Sequence, residues 1–266
     1  MIKFIACDMD GTLVDDEKIL HEKVFSTLDY LKSKNVMFCA ASGRQYNSLK
    51  HIFGEYGKDM IFIAENGSYV VYKDKEVFST TMKEELWKKI AHGSLIQENL
   101  RPVLCCRNCI YTDDIKTANV MSTSKFGYNV NYVEDILSVK DEIIKVTIMD
   151  NNPYTNNGME FLQKSFGNET EIAVSGFGCI DIMNKGISKG KAINEILTNF
   201  GIDKNEAAAF GDNFNDIEML KEVGYSFAMK NAVDEIKSHA KFVTKYTNNE
   251  CGVVREIEEL INKGII

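Results

Sequence analysis

The sequence predicts an α/β protein: a doubly wound, Rossmann-like core built on a parallel sheet, interrupted by an inserted α+β domain. Two observations carry that prediction. Apolar strand-like runs alternate with helix-like stretches from the N-terminus to Gly67, and again from Lys189, as in sheets covered by helices on both faces. Between roughly residues 68 and 185 the alternation gives way to hairpin-like segments, which imply antiparallel pairing.

Taken in order, Ile2 to Cys7 is apolar apart from Lys3 and reads as a buried strand. In HEKVFSTLDYLKSKN, Val24, Leu28 and Leu31 fall at helical spacing. VMFCAASGR is a second apolar strand, QYNSLKHIFGEYG a second helix and MIFIAENG a third strand. SYVVYKDKEVFST then turns back at Lys73-Asp74-Lys75, and RPVLCCRNCIYT turns back between Cys106 and Cys109. KEELWKKIAHGSLIQ and PYTNNGMEFLQKSF read as helices, EIIKVTIMD and GCIDIMN as strands. From Lys189 follow a helix (KGKAINEILTNF), a strand (AAAF), the loop GDNFND, a helix (IEMLKEV) and a strand (YSFAM). The core is accordingly assigned to residues 1–82 and 186–266, and the insertion to 83–185. No Pro/Gly/Ser-rich linker marks the joins.

Composition narrows the function. At 266 residues with 44% hydrophobic and 26% charged side chains, the chain can bury a sizeable core. A net charge of −8 argues against nucleic acid or an anionic membrane as the main partner. The chain opens without a signal-like segment and has no apolar run approaching membrane-span length. Its seven cysteines are scattered through apolar segments, as reduced thiols in a cytoplasmic protein would be. Cys105, Cys106 and Cys109 invite a metal reading, but no second Cys or His pair follows at zinc spacing. GISKGK is not a P-loop, because its glycines are one residue too close and Ala192 stands where a hydroxyl should meet the metal.

Ligands of parallel sheets bind beyond the carboxyl ends of the strands, and four polar sites fall there. Asp8 and Asp10 end the first strand, followed by Gly11 and Thr12. If strand alternation continues, the two acids point the same way, and their repulsion calls for a metal cation, a shared proton or open solvent. Ser42, Gly43 and Arg44 offer a hydroxyl, free backbone N–H groups and a guanidinium, a setting that suits an anion. Lys189 opens a helix. Gly211 to Asp216 add Asp212, Asn213, Asn215 and Asp216 after a strand.

In this order and spacing the motifs resemble those of the haloacid dehalogenase-like phosphohydrolases, and within them the Cof-type hydrolases. AENG at Ala64–Gly67 and NNECGVVREI near the C-terminus resemble that family too. Asn184 and Lys185, at the second join, depart from its usual pattern. The resemblance implies an inserted cap domain between the second and third motifs and a phosphatase for small metabolites. It makes Asp8 the nucleophile, forming an aspartyl-phosphate, and Asp10 the general acid and then base. It implies Mg²⁺ held by Asp8, the backbone carbonyl of Asp10, and Asp212, with Asp216 in or near that set. Thr12, Ser42, Gly43, Lys189 and Asn215 would serve the phosphate; Arg44 would reach the substrate's leaving group, with Asn66 in support.

The expected substrate is a small phosphate ester, a sugar phosphate or a phosphorylated cofactor, handled by a monomer or small homo-oligomer. Two other readings stay open. A phosphotransferase or sugar-phosphate mutase would use the same intermediate, and a sensor would bind Mg²⁺ and phosphate without turnover.

Overall fold

The computed structural model describes residues 1–123, 128–152, 157–176 and 178–266. Its larger sheet has eight strands in the order β14-β13-β12-β1-β2-β3-β4-β5. From the β14 edge inward it holds β14 (Phe242–Val243), β13 (Tyr225–Ala228), β12 (Ala207–Gly211), β1 (Phe4–Asp8), β2 (Met37–Ala41) and β3 (Ile61–Ala64). All six are mutually parallel. β1 and β12 pair directly, Phe4 with Ala207 through Cys7 with Phe210, although about two hundred residues of sequence separate them. Their side chains are buried without exception, as continuous apolar strands between two helical layers require.

Helices cover both faces. α1 (Lys23–Ser33), α2 (Tyr46–Phe53) and α9 (Gly252–Asn262) pack on one side, where Leu28, Leu49 and Ile257 meet Ile5 and Phe62. On the other lie α6 (Lys189–Phe200), α7 (Ile217–Lys221) and α8 (Asp234–Ser238), with Ile193, Leu220 and Ile236 on Phe4 and Ile63. α8, β14 and α9 extend the alternating pattern beyond the last strand read from the sequence.

The hairpin of β4 (Tyr69–Tyr72) and β5 (Lys75–Ser79) continues this larger sheet antiparallel to β3 rather than joining the insertion. Lys73 and Asp74 both have positive φ, 52° and 57°, the conformation of a tight two-residue hairpin turn. The change of rhythm at residue 68 therefore marks the edge of the core sheet, not a domain boundary.

The second sheet has six strands, β10-β11-β9-β6-β7-β8: β6 (Leu100–Cys105), β7 (Ile110–Thr112), β8 (Val130–Tyr132), β9 (Lys145–Asp150), β10 (Thr170–Gly176) and β11 (Cys179–Asn184). All its pairs are antiparallel except β7 with β8. α3 (Glu84–Leu95) and α5 (Asn157–Phe166) lay Trp87, Ile90, Leu162 and Phe166 on Val146, Ile148, Ile180 and Ile182. The helix expected from Pro153 is seen from Asn157; residues 153–156, and Phe177 of the GFGCID turn, lie outside the described residues. α4 (Ile115–Thr123) and β8, unmarked in the sequence reading, complete this sheet's far edge. Strand alternation leaves Lys145, Thr147 and Asp181 on the face away from the helices, and that face meets the core. At the second join, Asn184 Nδ2 donates to Thr80 Oγ1 at 2.7 Å and to the Thr81 carbonyl at 2.9 Å, tying the two connections together.

Candidate active site

β1 ends at Asp8 and the chain turns at once: the amides of Thr12, Leu13 and Val14 all donate to the Met9 carbonyl. Alternation therefore stops before Asp10, and the two acids meet different partners. The protein supplies part of the compensating charge itself, which the sequence reading had assigned to a metal, a proton or solvent. Asp8 Oδ1 accepts from Lys189 Nζ at 2.5 Å. The Asp10 carboxylate takes the Arg44 guanidinium fork at 2.5 and 2.7 Å, with Lys18 Nζ at 2.9 Å.

Each expected residue has a definite place. β12 delivers Asp212 just beside Asp8. Asp216 caps the following turn, taking the amides of Asp212 and Asn213 on Oδ2 at 3.0 Å each. Its Oδ1 faces Lys189 Nζ at 2.7 Å. Ligand oxygens of Asp8, Asp212 and Asp216 come within 4.8 Å of one another. Thr12 Oγ1 donates to Asp212 Oδ1 at 2.6 Å, so its hydroxyl is committed to a carboxylate rather than presented to a phosphate. The Asp10 side chain points to Arg44, outside this cluster.

Gly11 is required by crowding as well as by its φ of +83°: a Cβ there would fall 2.4 Å from Asp212 Oδ2. Ser42 follows β2, is 3% exposed and takes the Arg44 amide on its Oγ at 3.2 Å. A Cβ on Gly43 would meet Ser175 Cβ at 3.0 Å and Asp181 Oδ2 at 3.1 Å, so the second sheet closes directly over this loop. Asn66, with φ of 53°, joins Asn215 to the second sheet: its Oδ1 takes Asn215 Nδ2 at 3.0 Å and its Nδ2 donates to Asp181 Oδ2 at 2.7 Å. Asn215 thus positions Asn66.

The electrostatics separate the two acids. Burial, then the neighbouring Asp216 charge, raise the Asp8 carboxyl well above the usual range despite Lys189. Burial and Asp216 also push Asp212 up, to about 6. Burial alone would raise Asp10, but the Arg44 fork and Lys18 overcome it and hold this carboxyl below its ordinary value. Burial alone would lower Lys189, yet Asp216 and Asp8 keep it charged, with its pKa raised. Three carboxylates therefore face one ammonium, an excess of negative charge in a dry site.

Sequence reasoning missed the polar face laid over this site. Lys145 Nζ reaches the Gly43 carbonyl at 2.7 Å, Asp181 at 2.9 Å and Glu65 at 2.6 Å. The Glu65 contact is a close ion pair without hydrogen-bond alignment, since neither Glu65 oxygen finds a directed partner. Thr147 Oγ1 donates to Asp181 Oδ1 at 2.6 Å. Gln45 Nε2 donates to the carbonyls of Cys106 and Cys109 at 3.3 and 2.9 Å. A signal existed: between its terminal acids EIIKVTIMD holds a lysine, and GCIDIMN holds an aspartate, each amid apolar residues, and such charges are rarely buried unpaired.

A buried carboxylate at the end of a parallel strand, braced by a lysine, lies beside an acid on an arginine fork and under a closing sheet, a setting suited to phosphoryl chemistry. The chain belongs to the haloacid dehalogenase-like hydrolases, whose family model matches residues 5–257. It is 30% identical over 266 residues to the 5-amino-6-(5-phospho-D-ribitylamino)uracil phosphatase of Escherichia coli K12, covering 98% of this chain and 96% of that one. It is 24% identical over 239 residues to the HMP-PP phosphatase of Klebsiella pneumoniae strain 342, covering 90% and 88%. The solved structure of SMU.1108c from Streptococcus mutans UA159 superposes with a TM-score of 0.90 at 26% identity, over 98% of this chain and all of that one. The protein is a phosphatase.

Proposed function

We propose that this chain hydrolyses the phosphate monoester of a small metabolite, a sugar phosphate or a phosphorylated cofactor, through an aspartyl-phosphate on Asp8 and with Mg²⁺. The observation that carries the reading is the pairing of a buried Asp8 held by Lys189 with an Asp10 held apart on Arg44. Two carboxylates two residues apart in different settings can take different roles.

Asp8 attacks phosphorus. Lys189 fixes its carboxylate and remains as a positive charge beside the transferring group. Ser42 Oγ and the loop amides after β2 donate to the non-bridging oxygens. Asp10 gives its proton to the leaving alkoxide and later takes one from the attacking water. The Arg44 fork and Lys18 favour the Asp10 anion, so Arg44 must turn toward the substrate before Asp10 can carry a proton. The second sheet, closed on Gly43 and Asn66, excludes bulk water from the reaction.

The donor set fits Mg²⁺: oxygen ligands only, three carboxylates within 4.8 Å and surplus negative charge. Asp8 and Asp212 would hold the ion, with Asp216 beside them and the backbone carbonyl of Asp10 as a further oxygen. When bound, it would neutralise the phosphoryl oxygens against these acids. Inserted between the motifs, a cap formed by residues 83–185 would admit metabolites and bar phosphorylated macromolecules.

The test is phosphate release from a panel of sugar phosphates, phosphorylated cofactors and p-nitrophenyl phosphate, with Mg²⁺ and with EDTA. Metal-dependent release, with label from ³²P-substrate trapped on the protein in wild type and absent in Asp8→Asn, supports the reading. Label moving between positions of a sugar without free phosphate would make the protein a mutase instead.

A further inference from the structure

The hairpin joining β6 to β7 carries a group of side chains that the phosphatase site does not use. Cys106-Arg107-Asn108-Cys109 closes it, with the Cys106 amide donating to the Cys109 carbonyl at 2.9 Å. Cysteines facing each other across so short a turn present both thiols on one side of the ribbon. The sequence held no third ligand at metal spacing, but the fold brings one in. Asp141, from the connection leading into β9, places a carboxylate oxygen within 4.8 Å of both sulfurs. Its Oδ2 lies 3.9 Å from Cys109 Sγ and accepts a hydrogen bond from Tyr111 Oη at 3.0 Å.

We propose that Cys106, Cys109 and Asp141 bind one thiophilic divalent cation of the Zn²⁺ class, at a site separate from the active-site acids. Two sulfurs and one carboxylate oxygen are a poor set for Mg²⁺ and a good one for Zn²⁺. Thiolates about 2.3 Å from a tetrahedral ion stand about 3.8 Å apart, and the three groups, all within 4.8 Å of one another, can reach that spacing by side-chain adjustment. The Tyr111 hydroxyl orients the carboxylate, as outer hydrogen bonds do at metal sites. Asp141 is exposed while the thiols are 3% and 9% exposed, which gives the ion a way in and leaves a fourth position for water. Burial, then the Asp141 charge, push the Cys106 thiol up, so binding releases protons.

The ribbon does not depend on the ion to form. Gln45 holds both turn carbonyls from the core, and the Arg107 side chain pairs with Glu76 and Glu142. Binding can therefore be measured on the folded protein.

The test is a Co²⁺ titration of the reduced, full-length protein in excess Mg²⁺, followed by thiolate-to-cobalt charge-transfer absorption in the near ultraviolet. One equivalent should develop the band and Zn²⁺ should abolish it. Cys106→Ser with Cys109→Ser should remove it, and Tyr111→Phe should weaken binding about tenfold. Asp141→Ala, a change at an exposed side chain that spares the fold, should weaken it by at least about as much. No band at saturating Co²⁺, a band that survives the double cysteine change, or an Asp141→Ala protein that binds as tightly as wild type would each overturn the site.

Discussion

Two buried lysines in this protein sit among carboxylates, and they do different things. Lys189 lies between Asp8 and Asp216, with Asp212 alongside. Lys145 lies between Glu65 and Asp181. Around Lys145 the demand of one acid is met by the protein: Thr147 and Asn66 both donate to Asp181, and Lys145 also donates to the Gly43 carbonyl, while Glu65 keeps only its ion pair with the lysine and its carboxyl is raised by burial. Around Lys189, burial and then the Asp216 charge keep the Asp8 and Asp212 carboxyls raised, and the single lysine does not offset them. One lysine against two acids, reaching both sheets, holds two parts of a fold together, whereas one lysine against three acids leaves a site short of positive charge and suited to a cation.

The largest break in that comparison is at Asp8. Asp8→Asn should lower turnover by about 10⁴-fold or more while far-UV circular dichroism stays unchanged. Residual activity within tenfold of wild type would remove Asp8 as nucleophile. EDTA should likewise abolish turnover, and Mg²⁺ should restore it; activity unaffected by chelation would mean that Lys189 alone balances the acids.

At the other lysine the effect should fall on stability. Lys145→Met strands Glu65 and Asp181 without their counter-charge and should cost about 3–5 kcal/mol in denaturant unfolding. Combining it with Glu65→Gln and Asp181→Asn should return a good part of that. A Lys145→Met protein as stable as wild type would show that the network hydrates freely and does not hold the sheets together.

A smaller effect concerns pH. Asp212 has its folded pKa at about 6 against an ordinary 3.8. Between those values the native state holds a proton that the unfolded chain has released. Metal-free stability should therefore fall as pH rises from 4 to 6, by up to about 3 kcal/mol for this group at 1.36 kcal/mol per unit. Mg²⁺ should flatten the slope, and equal slopes with and without it would count against Asp212 as a ligand. Smallest is Arg44→Met. Freed from the fork, Asp10 should rise, and the high-pH limb of the kcat/KM profile should move up by about one unit. An unmoved limb would mean another group protonates the leaving oxygen.

The apolar runs announced the core strands, because a strand buried on both faces cannot hide polar side chains. GDNFND was legible for a related reason: acids and amides past a strand end serve only a turn or a site. The hairpin at 69–79 was legible as antiparallel pairing, but pairing direction shows in sequence while the sheet it joins does not. Thr12 and Asn215 were expected on the phosphate, yet they point to Asp212 and Asn66. Spacing along a chain places a residue near a site without saying where its hydrogen bond goes.

By itself the sequence determined the alternating strands and helices, the acids at their ends and the lysine that follows the insertion, all of which are local patterns of polarity and period. Only the tertiary structure decided which charges meet. It set Lys189 on Asp8 across 181 positions and Asn66 on Asp181 across 115. Such pairings come from the parallel joining of β1 to β12 and from the closing of the second sheet, and their strength depends on a burial that no local pattern specifies.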